Sequence, residues 1–407
     1  MAVGAQLRTL HVKAAEPTQG VDASQPRHLI PTRSTGNDSA DKLGVMLLPA
    51  PDDPSGSELI RRVGEAITDF LDSQIPLATQ VGSLPILDVA RTYTAGGKRL
   101  RPAFCYWGYA AAAEIPENPA ALIRAAASLD VLHASLVVHD DLIDRSDVRR
   151  GHPSAHRQYE TIHAQACGGG SSEEFGAAAA VLLGDALLAW SSEMFESSGL
   201  PTDALDNARP LLQTMRTEVL LGQYLDVAAA FQTTTADGQD QAERVLEYKS
   251  ARYSVRRPLE IGAVLGGADP GGELLKALGR FGSLLGGAFQ LRDDVLGIFG
   301  DPAVTGKPAG DDLREGKRTL LILEALARAD RQQSAFLRHL LGNPSPTISD
   351  IAEARTIITS TGALDVIEQH INERGQAALT ALHKVRLPGE ALTALTALTE
   401  RTIRRER

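Results

Sequence analysis

The stretch VVHDDLIDRSDVRRG, residues 137–151, ends an apolar helix pattern with Asp140, Asp141 and Asp144 and follows it with Arg149 and Arg150. Residues four apart share a helix face, so Asp140 and Asp144 project together while Asp141 flanks them. Negative charge at a helix C-terminus opposes the macrodipole, so these residues do not serve helix stability. Carboxylate oxygens converging without thiols or a histidine pair suit Mg2+, which keeps some waters and takes other ligands from substrate phosphates. A solvated acidic helix end is the plain alternative, and this cluster alone does not decide between the two.

A second cluster does. AFQLRDDVLGIFGD (288–301) again ends an apolar helix pattern with adjacent aspartates, Asp293 and Asp294. Two helices that finish this way can face one another across a bundle cavity and share ions. GGKRLRP (96–102) adds Lys98, Arg99 and Arg101 after a Gly-Gly turn, with Pro102 restricting Arg101 to extended conformations. A glycine turn lets backbone approach an anion, while Arg offers a planar fork and Lys a point charge. Taken alone, that segment reads as a surface basic loop. Beside the aspartates, a diphosphate held through Mg2+ accounts for both signs of charge.

GGKRLRP, DDLID and QLRDD, in this order over roughly residues 55–325, resemble the trans-prenyltransferases that make linear isoprenoid diphosphates head to tail. The resemblance implies an all-α, isoprenoid-synthase-type bundle around a central cavity, and a homodimer. It implies several Mg2+ ions held by Asp140, Asp141, Asp144, Asp293 and Asp294. Isopentenyl diphosphate would be held by Lys98, Arg101 and Arg150, joined by His133. Arg149 would bind the allylic diphosphate, with Lys249, Ser250, Gln290, Lys307 and Lys317 capping it from the other side. Lys249, Ser250 and Gln290 would be the catalytic members of that set. Lys317 also reads as a solvated helix start, and Arg99 is expected to point elsewhere. The implied chemistry is ionisation of the allylic diphosphate followed by attack of the isopentenyl double bond, with no side-chain nucleophile.

Three features depart from the family pattern or stay open. Gly297 stands where many members carry a third aspartate, and Asp301 lies some 10 Å beyond Asp294 along a continued helix, too far to replace it; water is expected to fill the gap. Ser250 replaces the usual threonine and keeps its hydroxyl. Glu218, Gln223 and Asp226 in EVLLGQYLD resemble a family segment that supports the site, with polar pairing inside a helix as an equal alternative. Asp185 reads as structural, and His152, His156 and His163 as loop residues without a ligand spacing.

Product length turns on the helix before the first cluster, which lines the pocket in this family. Leu129, Leu132 and Leu136 recur at core spacing. Members that stop at fifteen carbons tend to have an aromatic ring where this chain has Ser135. The expected product is therefore geranylgeranyl diphosphate, with Leu136, Leu132 and Leu129 near the growing tail and Trp190, Met194 and Phe195 as a floor. The alternatives are a farnesyl or longer-chain synthase, a class I terpene cyclase and a regulatory prenyltransferase subunit. A cyclase has no use for an isopentenyl site and typically carries a different second metal motif, and a regulatory subunit tends to lose its carboxylates.

The elements that must position these groups are helices. The chain has 407 residues, 43% hydrophobic and 23% charged, which describes a core-forming protein. Its net charge of −10 provides no basic excess for non-specific nucleic-acid binding. Cys105 and Cys167 have no metal or redox spacing, which suits a reducing cytoplasm. No uninterrupted apolar run long enough to span a bilayer is evident, and no secretory signal. Residues 1–52, rich in Pro, Ser, Thr and Asp, read as a disordered or loosely ordered extension, and 53–407 as one all-α domain. Helices are expected over about 55–75, 81–93, 99–113, 118–145, 175–198, 202–229, 240–266, 271–299 and 317–329, then 332–341, 348–359, 361–385 and 388–405.

Overall fold

The computed structural model describes residues 49–231, 238–301 and 310–404. Residues 1–48 of the N-terminal extension, and Lys307, lie outside the described residues. The chain folds through α1 (Ser57–Ser73), α2 (Ile75–Val81), α3 (Pro85–Thr94), α4 (Leu100–Ala112) and α5 (Ala120–Ile143). A two-residue hairpin follows, β1 (Val148–Arg149) pairing antiparallel with β2 (His152–Pro153). Next come α6 (Ala155–Gln165), α7 (Ser172–Glu196), α8 (Thr202–Phe231) and α9 (Gly238–Val245). Leu246–Arg256 winds as a π-helix and passes into α10 (Arg257–Leu265), followed by α11 (Glu273–Phe299) and the single turn α12 (Asp311–Arg314). The chain ends in α13 (Leu320–Arg328), α14 (Arg331–Leu340), α15 (Ile348–Ser360), α16 (Ala363–Leu382) and α17 (Gly389–Ile403).

The all-α expectation holds, with local differences. The expected 55–75 helix breaks at Gln74, where Pro76 starts a new one. The expected 240–266 helix is three differently wound pieces. Residues 155–165, read as loop, form α6, whose polar sequence buries only Ala155, His156 and Tyr159.

α5 is apolar on all sides and sits inside the bundle, packed against α1, α4 and α7. Leu122, Leu129 and Val131 are fully buried there. A second core joins α11 to the C-terminal helices through Leu291, Ile298, Leu321 and Ile371. Both acidic clusters ride at the C-terminal ends of helices clamped by these cores, so their carboxylates are set by rigid packing.

By length and composition α5 and α7 would each suffice to cross a bilayer, unlike the sequence expectation, because their few polar residues interrupt the apolar runs without lowering the average much. Most of α5 lies inside the fold, 72% of its most apolar stretch, whereas only 33% of the corresponding stretch of α7 is covered.

Candidate active site

A cavity of about 960 Å3 opens between the ends of α5 and α11. Asp140, Asp293 and Asp294 line it, together with Lys98, Arg101, His133, Arg149, Arg150, Lys249, Ser250, Gln290 and Lys317. Asp141 and Asp144 are not among the lining residues.

The first cluster divides by role. Asp140 accepts from Lys249 Nζ at 3.2 Å and Gln223 Nε2 at 2.9 Å. Lys249 also reaches Asp226 at 2.6 Å, so the Gln223 and Asp226 segment supports the site. Burial pushes the Asp140 carboxyl up, but Lys249, Lys317 and Arg149 pull harder and hold it well below the usual carboxylate range. Asp144 ends the helix 3.3 Å from Lys317. Burial, joined by repulsion from Asp140 and Glu315, outweighs that lysine and lifts Asp144 to about 6.

Asp141, expected among the metal ligands, is fully buried in this structure, accepting a fork from Arg149 and a hydrogen bond from the Tyr93 hydroxyl at 2.9 Å. The same hydroxyl accepts from the Ala155 amide at 2.6 Å. Asp141 thus ties the β-hairpin, α3 and the start of α6 to α5, and part of the Arg149 fork is used in doing so.

In the second cluster Gln290 donates to Asp294 at 2.7 Å. Burial, then the negative charges of Asp312 and Asp293, outweigh that bond and raise Asp294 to about 8. Lys317 joins the clusters: it is paired with Asp144 and Glu315 and lies 3.9 Å from Asp312. Thr319, two residues on, caps α13 by accepting from the Ile322 amide, which fixes where Lys317 leaves the helix.

The basic wall is built on the Gly96-Gly97 turn, where both residues have positive φ, 65° and 87°. The Arg150 guanidinium rests against Gly97, where a Cβ would meet it at 3.4 Å, and donates to the Ala95 carbonyl at 3.1 Å. Arg99, expected to point elsewhere, also borders the cavity; its guanidinium reaches Asp130 at 2.8 Å and the Thr94 carbonyl at 2.7 Å, which pins the turn. Arg101 donates to Ser254 at 3.0 Å and stacks 4.3 Å above the Tyr253 ring. Its buried Nε has no partner among the described residues.

His133 reaches the Tyr253 hydroxyl through Nδ1 at 2.6 Å. Burial, then Arg101 and Arg150, hold the imidazole well below its ordinary pKa, while burial raises the tyrosine to about 12. Both groups are therefore neutral, and one proton is shared between the tyrosine oxygen and Nδ1. Tyr253 was missed by sequence reasoning. Its signal was the spacing from Lys249, because i→i+5 winding brings residues four and five apart onto one face. That winding is gripped by glycines. A Cβ at Gly222 would lie 2.4 Å from the Lys249 amide nitrogen, and one at Gly286 2.5 Å from the Ala251 carbonyl oxygen.

Of the product-length residues only Leu136 lines the cavity. Ser135 is turned toward α7 and donates to the Gly184 carbonyl at 2.7 Å. Leu132 and Leu129 are core, as are Met194 and Phe195. Asp185 lies 3.6 Å from His139 at the surface.

The polyprenyl synthetase family model matches residues 85–358. A geranylfarnesyl diphosphate synthase of Aeropyrum pernix is 34% identical over 294 residues, 72% of this chain and 84% of that protein. A geranylgeranyl diphosphate synthase of Methanosarcina mazei is 31% identical over 67% of this chain and 75% of its own. Among solved structures, the Corynebacterium glutamicum geranylgeranyl pyrophosphate synthase complexed with isoprenyl diphosphate and magnesium is 38% identical with a TM-score of 0.81, covering 86% of this chain and 99% of that one.

Proposed function

The chain belongs to the polyprenyl synthetase family and is a prenyl diphosphate synthase, and on that premise we propose that it extends an allylic diphosphate with isopentenyl diphosphate to geranylgeranyl diphosphate. One observation carries the reading of the site: a single cavity has two acidic helix ends and a basic wall at its polar part, and aliphatic side chains such as Leu136, Val137 and Val219 elsewhere.

The donor set fits magnesium. Asp140, Asp144, Asp293 and Asp294 offer hard oxygens without a competing thiol. Asp294 is raised first by burial and then by the neighbouring carboxylates Asp312 and Asp293, whose charges a divalent cation would offset. Several magnesium ions held there would neutralise the allylic diphosphate and draw charge onto its departing oxygen. Lys249, Lys317 and Gln290 orient the same diphosphate, with the Ser250 hydroxyl beside them. Lys98, Arg101 and Arg150 hold isopentenyl diphosphate, the unpartnered Nε of Arg101 being a donor suited to an anion. His133, neutral and held by Tyr253, adds a directional hydrogen bond. The double bond then attacks the allylic cation and a proton leaves to the released diphosphate. That basic wall is the feature a cyclase would not need.

A twenty-carbon product is supported by the similarity to geranylgeranyl synthases and by an aliphatic rather than aromatic residue, Leu136, where α5 meets the cavity. The similarity to a geranylfarnesyl synthase keeps a longer product as the second reading. We further propose a cytoplasmic homodimer. One face of α7 exposes Phe175, Ala178, Leu182 and Ala189, and a second copy is the simplest cover for it. Both cysteines are free, as in a reducing compartment. Incubating the purified chain with isopentenyl diphosphate, each allylic starter in turn and magnesium, and weighing the products, tests the assignment. A product shorter or longer than twenty carbons would correct it.

A further inference from the structure

Position 297 lies four residues after Asp293 and three after Asp294, so it shares their face of α11. The space above it is filled. A Cβ added to Gly297 would lie 2.0 Å from Oδ2 of Asp312 and 2.6 Å from its Cγ. The Asp312 carboxylate therefore sits in the volume that an ordinary side chain at 297 would claim, and not water as the sequence suggested.

Asp312 reaches this place from outside the helix. It belongs to the single turn α12, entered through Gly310, whose φ of 73° and close contact with Ile351 fix the approach. The neighbouring Asp311 is tied to Arg314, and Asp312 is the carboxylate of that turn that comes over Gly297. Its backbone carbonyl accepts from the Lys317 amide at 2.9 Å, and its carboxylate is 3.9 Å from Lys317 Nζ. Asp312 lines the cavity together with Asp293 and Asp294.

We propose that Asp312 is the third carboxylate of the second metal-binding cluster, and that residue 297 is glycine because any side chain there would displace it. The proposal rests on reading the cavity as a magnesium–diphosphate site. It assigns the missing ligand to a different element, so that the cluster is completed by docking of α12 on α11 rather than by one helix alone. Hard oxygen donors from two elements, with Lys317 between them, form the same kind of donor set that the third aspartate of a single helix would give.

Calorimetric titration of magnesium into the full chain with inorganic pyrophosphate present reads the cluster directly. The unaltered protein is expected to bind; if it does not, the magnesium–diphosphate reading itself falls. Asp312→Ala is expected to weaken magnesium binding by about ten- to hundredfold. Gly297→Ala, which keeps every charge but pushes the carboxylate out, is expected to weaken it in the same direction. The decisive variant is the double substitution Asp312→Ala with Gly297→Asp, which returns a carboxylate to the same space from α11 and is expected to restore affinity. Thermal unfolding of each variant separates loss of the ligand from loss of the fold. Unchanged magnesium affinity in Asp312→Ala, or a folded double variant no better than the single one, overturns the assignment.

Discussion

The Tyr253 hydroxyl lies 2.6 Å from Nδ1 of His133, and the same tyrosine ring supports the Arg101 guanidinium 4.3 Å above it. One side chain thus sets both a histidine orientation and an arginine position. Tyr253→Phe keeps the ring beneath Arg101 and removes only the hydrogen bond. A bond of this kind contributes about 0.5–1.5 kcal/mol, so KM for isopentenyl diphosphate should rise several-fold with little change for the allylic substrate. Initial rates with each substrate varied in turn check this. A rise confined to the allylic substrate would contradict the placement of His133.

Asp294 is raised to about 8 and Asp144 to about 6 in the metal-free protein. A carboxyl with a raised folded pKa keeps its proton longer than in the unfolded chain, so the native state binds more protons between the two values and stability falls as pH rises through that window. Metal-free protein should therefore melt lower at about pH 8 than at about pH 5 from these groups. Asp294→Asn should flatten the dependence, and magnesium with pyrophosphate should reverse it while releasing protons. Melting curves over this range, with and without the ion, decide.

Arg99 and Asp130 form a buried pair, 6% and 9% exposed. Removing one partner leaves an uncompensated charge, so Arg99→Met should cost about 3–5 kcal/mol. Adding Asp130→Leu should recover much of that loss. Denaturant titration of the single and double variants measures both.

Ser135 faces Gly184 of α7, and a ring there would crowd two packed helices. Ser135→Phe should lower stability by about 1–3 kcal/mol through overpacking and leave product length unchanged. Leu136→Phe should narrow the cavity and shorten the product. Mass analysis of the two product mixtures separates the positions.

Leu182 is 63% exposed on the apolar face of α7. Leu182→Arg should leave the fold intact and shift the sedimentation coefficient to that of a single chain. A wild-type protein that already sediments as one chain would remove the dimer.

Much of the site was legible because its chemistry is clustered in the chain. Asp140, Asp293, Asp294 and the basic residues after Gly97 all reach one cavity, and a helical period sufficed to place them. What was illegible depended on groups far away in sequence. Whether Asp141 faces an ion or a hairpin is decided by Arg149 and Tyr93, not by its own helix. Ser135 and Leu136 are adjacent, and only the packing of α7 tells which one meets the cavity. Tyr253 was hidden because its partners, His133 and Arg101, lie far away in sequence. Asp312 was hidden because nothing in QLRDDVLG says what will lie above Gly297. The polar stretch 155–165 carried too little apolar pattern to announce α6.

The widened coil at Leu246–Arg256 makes this segment intolerant of length changes. Deleting one residue between Lys249 and Tyr253 while the wide winding is kept would rotate one against the other by roughly 80°. An ammonium group on one substrate and an imidazole support on the other would then no longer face a common space. With the wide coil held in place by its neighbours, an insertion or deletion uncouples the two halves of the reaction at a stroke.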